Sequence, residues 1–413
     1  MFDHLLSESA RAIRDEARDF VASVPRQMII DMDEDRIRFP KEFLREAGRR
    51  HLLGCRYPAR WGGRELDWVS TCAVMEEIGT LGYIFACTFG VGAELVCDAI
   101  IRHGTGAQKE KYVAPLLRGE VFAAECLTEP RGGSDFFGAT TTAEDRGDHF
   151  VLNGQKRFIV GADGADFFLV YARTDPDAPA HKGLSCLIVD RGPGVRSTYH
   201  YGLMGCRGGG TGRLLFKDVV VPKENVVGEP NGAYPVFATM MIPERLGTAA
   251  MTIGAARPAV EVATGYTTRR KAFGTAIRNF QGVSFQVAEA VTLLDASRAL
   301  IYATASAVDA GVDPYRIRRM VSESKKFVTE SCQKAAANAL QVMGGIGYTT
   351  VYPIERTVRD LHLASIWTGS NEIMSAIIAS EWYREQTGER RPGVRDHEAD
   401  AVEAGATDEK DYG

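Results

Sequence analysis

The sequence offers almost nothing that would tie its cysteines together, and it has no surplus of positive charge. Its eight cysteines, at 55, 72, 87, 97, 126, 186, 206 and 332, form no CxxC pair and join no histidine-rich cluster. Scattered thiols argue against a disulfide framework or a zinc site and point to a reducing compartment, with the cytoplasm as default. A net charge of −5 gives no reason to expect nucleic acid or an anionic membrane as partner. No apolar run is read as reaching the roughly 18 residues that cross a bilayer. The first residues carry Asp3, Glu8, Asp15, Glu16 and Asp19, unlike a signal peptide or an acid-poor transit peptide. What remains is a globular composition, 45% apolar and 25% charged, over 413 residues. That length suggests about two or three domains.

Periodicity divides the chain into three. Leu6, Ala10, Ile13, Ala17 and Phe20 recur at helical spacing, as do Val69, Cys72, Met75 and Ile78. Thr105 and Gln108 fit a capping box that opens a helix through Leu117, which Gly119 can close. From Val121 to Val221 short runs of β-branched and aromatic residues predict strands, with turns at Arg146-Gly147-Asp148, Asn153-Gly154 and Gly192-Pro193-Gly194. Long helical patterns then return near 235–270, 282–310, 314–343 and 371–386. The expected fold class is α+β: an N-terminal α-helical domain (1–120), a middle antiparallel β-domain (121–232) and a C-terminal four-helix bundle (233–387). Residues 388–413 are polar and acidic and read as a mobile tail.

Four segments carry chemistry. Cys126-Leu127-Thr128-Glu129-Pro130-Arg131-Gly132-Gly133-Ser134-Asp135 ends a strand in a turn that bares backbone N–H groups beside hydroxyls. Such a turn can cradle a hydrogen-bonding ligand edge, although alone it reads as readily as a capped surface loop. Arg270-Lys271-Ala272-Phe273-Gly274, followed by Gln281, sets a permanently charged fork at a helix end, suited to phosphate or to the helix dipole. Gln341-Val342-Met343-Gly344-Gly345-Ile346-Gly347 permits close backbone approach or simply caps a helix. The fourth is Ile366-Trp367-Thr368-Gly369-Ser370-Asn371-Glu372-Ile373.

Together, and in this order from about residue 5 to 386, these segments resemble the acyl-CoA dehydrogenases. The resemblance implies FAD as cofactor, an acyl-CoA substrate, an electron-transferring flavoprotein or similar acceptor, and a homotetramer. It implies flavin contacts from Cys126, Leu127, Thr128, Phe158, Ile159 and Val160, and from Ser134, which also borders the CoA chain. Arg270, Phe273, Gln281, Gln341, Gly344, Gly345, Ser370 and Glu372 would complete the FAD site, partly across a subunit boundary. Leu203 to Arg207 and the Arg356, Arg359, Asp360 group match family segments read here as structural. Ala86 stands near where glutaryl-CoA dehydrogenases carry an arginine, which disfavours a dicarboxylic substrate.

Three positions depart from the family. Thr368 occupies the place of the usual catalytic glutamate, Val160 that of a hydroxyl residue near flavin N5, and Glu125 that of a common aromatic. A lost hydrogen bond at Val160 is worth about 0.5–1.5 kcal/mol, so the cofactor should still bind. Thr368 cannot take a proton at neutral pH, but its backbone N–H and Gly369 can still line the thioester site. A minority of the family carries its base immediately before an arginine on the first bundle helix, and Glu244-Arg245 matches that arrangement. Glu244 is therefore the expected base, with Arg245 contacting CoA or bracing the pocket; otherwise Glu244 is a first-turn glutamate favoured by the helix dipole. Glu94 and Asp98 stand in reserve. The expected reaction abstracts the α proton and transfers the β hydride of a branched, cyclic or atypical acyl-CoA. The alternatives are a flavin-dependent oxidase or monooxygenase on the same fold, dehydrogenation of a cyclic enoyl-CoA, or a non-catalytic relative.

Overall fold

The computed structural model describes residues 3–387 and residue 397, so the acidic segment expected to be mobile lies almost wholly outside the described residues. The N-terminal part is helical. α1 (Glu8–Ser23) opens on Ser7, whose Oγ accepts from the Ala10 N–H, and buries the expected Ala10, Ile13, Ala17 and Phe20. α2 (Arg26–Asp33), α3 (Lys41–Arg49) and α4 (Trp68–Gly79) follow. α5 (Tyr83–His103) contains a π-helical turn at Val91–Val96. Its length and hydropathy suit a bilayer span, contrary to the reading from apolar runs, yet 94% of its apolar stretch is buried inside the protein. The capping box at Thr105 and Gln108 opens α6 (106–117), which Gly119 closes by donating to the Leu116 carbonyl.

The middle part contains β1 (Ala123–Cys126), β2 (Thr142–Asp145), β3 (His149–Ile159), β4 (Phe167–Arg173), β5 (Leu184–Asp190), β6 (Val195–His200), β7 (Gly212–Pro222) and β8 (Val226–Val227). Most pairings are antiparallel, but β1 runs parallel to β4, with Glu125 beside Leu169. Asn153-Gly154 is not a turn. The chain continues through it as β3, with a bulge where Asn153 exchanges hydrogen bonds with Asp218 and Gly154 passes Thr141 too closely for any Cβ. Alternation along β1 divides two cores. Ala124 and Cys126 pack inside the β-domain, whereas Ala123 and the neighbouring Leu169 and Tyr171 face the helices.

α7 (Ala233–Arg269) leads into a small hairpin of β9 (Lys271–Ala272) and β10 (Thr275–Ala276). α8 (Gln281–Asp309), α9 (Pro314–Met343), α10 (Ile354–Leu361) and α11 (Asn371–Thr387) complete the bundle close to the expected limits. α7 crosses α4 at Gly79 and Gly254, where a Cβ on Gly79 would lie 2.6 Å from the Met251 carbonyl oxygen. Beside the crossing, Glu76 accepts from Arg298 (2.6 Å) and Tyr302 (3.1 Å). α7 meets the helix-facing side of β4 at Met240, whose Sδ lies 3.0 Å from the Tyr171 hydroxyl. Gly254→Val should overpack the crossing and lower unfolding stability in guanidinium by about 1–3 kcal/mol or more.

Candidate active site

Pro243 lacks the N–H that would close the turn on Thr239, and the next residue, Glu244, lies well inside α7 rather than in its first turn. The helix dipole therefore does not account for this glutamate. Its carboxyl accepts no hydrogen bond from any described residue, and the side chain is only partly exposed. Burial pushes it up to about 7 against the pull of the Arg245 and Lys325 charges. A carboxylate without donors and with a raised proton affinity is suited to general-base work near neutral pH.

One turn further along α7, the Thr248 hydroxyl lies 3.2 Å from Thr368 Oγ1, which brings the Thr368 segment over the same helix face as Glu244. Thr368 and Gly369 both take left-handed backbone conformations, with φ of 56° and 81°. For a β-branched residue this is strained, costing about 1–3 kcal/mol, so the surroundings must impose it. Lys325, fully buried on α9, donates to the Gly369 carbonyl (2.8 Å) and to Asn371 Oδ1 (3.0 Å), and Trp367 Nε1 donates to the Tyr83 hydroxyl (2.8 Å). Burial pulls the Lys325 ammonium down to about 8, while the Glu244 carboxylate favours its charge. Held this way, the N–H groups of Thr368 and Gly369 meet no acceptor among the described residues. Two free donors at one turn are what a developing oxyanion requires.

Arg245 braces the site. It is buried, donates to Ser322 Oγ (3.1 Å), and leaves Nε without a partner among the described residues. The reserve acids are committed elsewhere: Arg56 donates to Glu94 (2.9 Å) and Asp98 (2.8 Å), and Arg102 also holds Asp98 (2.7 Å). Burial raises the Glu94 carboxyl as well, but both acids already hold guanidinium donors, which Glu244 lacks among the described residues. Glu125, singled out in the sequence only as a departure, emerges on the helix-facing side of β1. Burial raises its carboxyl, and the Glu244 charge raises it further. Sequence reasoning missed Lys325 altogether; one lysine of a Lys-Lys pair in a polar helix carries no signal of its buried end.

The turn at 126–135 is anchored from beneath. Glu129 accepts from the Thr140 N–H (2.6 Å), the Thr141 N–H (3.0 Å) and Lys156 Nζ (2.8 Å), and Lys156 with these bonds holds it ionised, down to about 2. Above it, Leu127 and Thr128 are partly exposed, Ser134 is exposed, and Gly132 has open space. Cys126 and Ile159 bury their side chains in the β-domain core, leaving only backbone to a ligand. Phe158, at φ 59°, presents a half-exposed ring packed on Tyr201 at 4.6 Å, with the partly buried Val160 two residues on. These features fit one face of a flavin. Arg270, Phe273 and Gln281 lie on the β9–β10 hairpin and its flanks, where Phe273 is 96% exposed; Gln341, Gly344 and Gly345 are open at the end of α9. Ser370 is partly buried and Glu372 exposed at the start of α11. A bare phenylalanine beside a free arginine fork suits a nucleotide held against a second copy of the chain. The loop at 203–207 and α10 form the expected structural network: Asp360 accepts from the Cys206 N–H (2.6 Å), and Arg359 pairs with Asp33 (2.9 Å) and Glu355 (2.7 Å).

Comparison with known proteins agrees with this geometry. Models of the acyl-CoA dehydrogenase N-terminal, middle and C-terminal domains match residues 7–120, 124–219 and 232–382. A subunit of the caffeyl-CoA reductase-Etf complex of Acetobacterium woodii, CarC, is 34% identical, with 90% of this chain and 98% of that protein aligned. The solved butyryl-CoA dehydrogenase of Megasphaera elsdenii superposes with a TM-score of 0.87 at 29% identity, covering 92% and 99% of the two chains. The FAD complex of PigA superposes with a TM-score of 0.85 at 25% identity, covering 92% and 99%. The chain belongs to the acyl-CoA dehydrogenase family of FAD-dependent oxidoreductases.

Proposed function

We propose that this protein dehydrogenates an acyl-CoA thioester to its α,β-unsaturated product, with Glu244 as the base and the Thr368–Gly369 turn as the oxyanion site. The observation that carries the reading is the unpartnered Glu244 carboxyl on the α7 face that Thr248 shares with Thr368. Bound FAD supplies the acceptor for the hydride that leaves the β carbon. Thr128 and Phe158 would hold its ring system, and Arg270, Phe273, Gln281 and Gly344–Gly345 its dinucleotide, the latter set across a subunit contact. The thioester carbonyl accepts from the N–H groups of Thr368 and Gly369 as negative charge grows on it. Glu244 takes the α proton, and Lys325, which holds the turn, also offsets the charge of that carboxylate. Thr368 brings no carboxyl of its own, which leaves room for a branched or otherwise atypical acyl group. The relative in an Etf complex supports an electron-transferring flavoprotein as acceptor. The exposed Phe273 supports a homo-oligomer, in line with the tetramer implied by the family.

Glu244→Gln should bind a cognate thioester while its anaerobic flavin bleaching slows by about 10²–10⁴-fold; bleaching at the wild-type rate would remove Glu244 from the mechanism. A base must be unprotonated to act, and Glu244 is raised to about 7, so stopped-flow bleaching should slow as pH falls through that value. A flat profile would contradict the role. Phe273→Asp should release FAD and shift sedimentation toward smaller species together, whereas an oligomer that keeps its flavin would refute the subunit-spanning site. Rapid oxygen consumption without an added acceptor would instead identify an oxidase.

A further inference from the structure

A second carboxyl feels the charge of Glu244 and has no part in the proton transfer proposed above: Glu125. Glu125 is fixed on the helix-facing side of β1, because Ala124 and Cys126 on either side are locked into the β-domain core. Its neighbour on β4 is Leu169, and two residues further Tyr171 reaches α7, its hydroxyl 3.0 Å from Met240 Sδ. Met240 lies one turn before Glu244, so α7 carries Glu244 over the strand face that presents Glu125. The nearby donors are already engaged. Lys156 Nζ is bonded to Glu129 (2.8 Å) and to the Leu127 carbonyl (3.1 Å), and no described residue donates to Glu125. An alkyl chain packed here would seal a carboxyl away from water with nothing to bond it.

We propose that Glu125 is a specificity-determining residue: it bonds a hydroxyl or amino group carried near the reacting carbons of the acyl chain, and so selects a polar acyl thioester over its alkyl isostere. This rests on the proposed placement of the acyl group beside Glu244. It does not require Glu244 to be the base. The two possible donors share one chemistry and differ in charge: a hydroxyl finds a partner in either protonation state of Glu125, an ammonium in the ionised state. The raised proton affinity of Glu125 fits a group that waits for such a ligand rather than one satisfied by the fold.

The test uses the FAD-loaded protein with 3-hydroxybutyryl-CoA, 3-aminobutyryl-CoA and isovaleryl-CoA, which carry hydroxyl, amino and methyl at one position. Dissociation constants come from calorimetry and reduction rates from anaerobic bleaching. Wild type should bind at least one polar thioester about tenfold or more tightly than isovaleryl-CoA. Glu125→Leu should reverse that order, and Glu125→Gln should retain the hydroxyl preference while losing any amino preference. Repeating the calorimetry on Glu244→Gln separates the two assignments, since it should keep the preference even though it bleaches slowly. An alkyl preference in wild type, or a polar-to-alkyl ratio unchanged in Glu125→Leu, would overturn the proposal.

Discussion

A carboxylate kept from hydrogen-bond donors and from bulk water binds its proton more tightly than usual. Glu244 is such a group among the described residues. An ionised carboxyl loses far more solvation on burial than it regains from an empty pocket, so its proton affinity rises. The Arg245 and Lys325 charges offset part of this cost.

The charges in the interior differ in how they are met. Arg56 with Glu94 and Asp98, Glu76 with Arg298, and Lys156 with Glu129 neutralise one another and tie elements that are distant in the chain. Removing one partner from such a pair would strand the other in a poorly solvating interior. Glu244 and Glu125 are the contrasting kind, acids that the protein does not satisfy. Lys325 stands between the two kinds, since its hydrogen bonds hold the Thr368–Gly369 turn and its charge faces Glu244.

The strained turn belongs to the same design. Thr368 brings no carboxyl, but the left-handed backbone at 368 and 369 bares two N–H groups that meet no acceptor among the described residues. A backbone donor depends on the conformation of the chain and on its supports, here Lys325, Thr248 and the Trp367–Tyr83 contact, more than on the side chain it carries. The oxyanion site proposed here therefore does not depend on an acid at 368.

The helices and most strands were legible because period and caps are local: the Thr105–Gln108 box, the limits of α9, and the apolar stripe of α1 follow from neighbours in the chain. Asn153-Gly154 misled, because a turn-forming pair inside a long strand is resolved only by its partners, Asp218 and Thr141. By itself the sequence determined the family, through motifs whose spacing survives divergence, and it nominated Glu244 by the absence of an acid at 368. Only the tertiary structure decided which acids are free. Glu94 and Asp98 are clamped by Arg56 from a separate segment, whereas Glu125 and Glu244, from a strand and a helix more than a hundred residues apart, accept from no described residue, and the Glu244 charge is felt at Glu125. Whether a carboxyl is paired or bare depends on what the fold sets opposite it, and that is a property of packing rather than of local order.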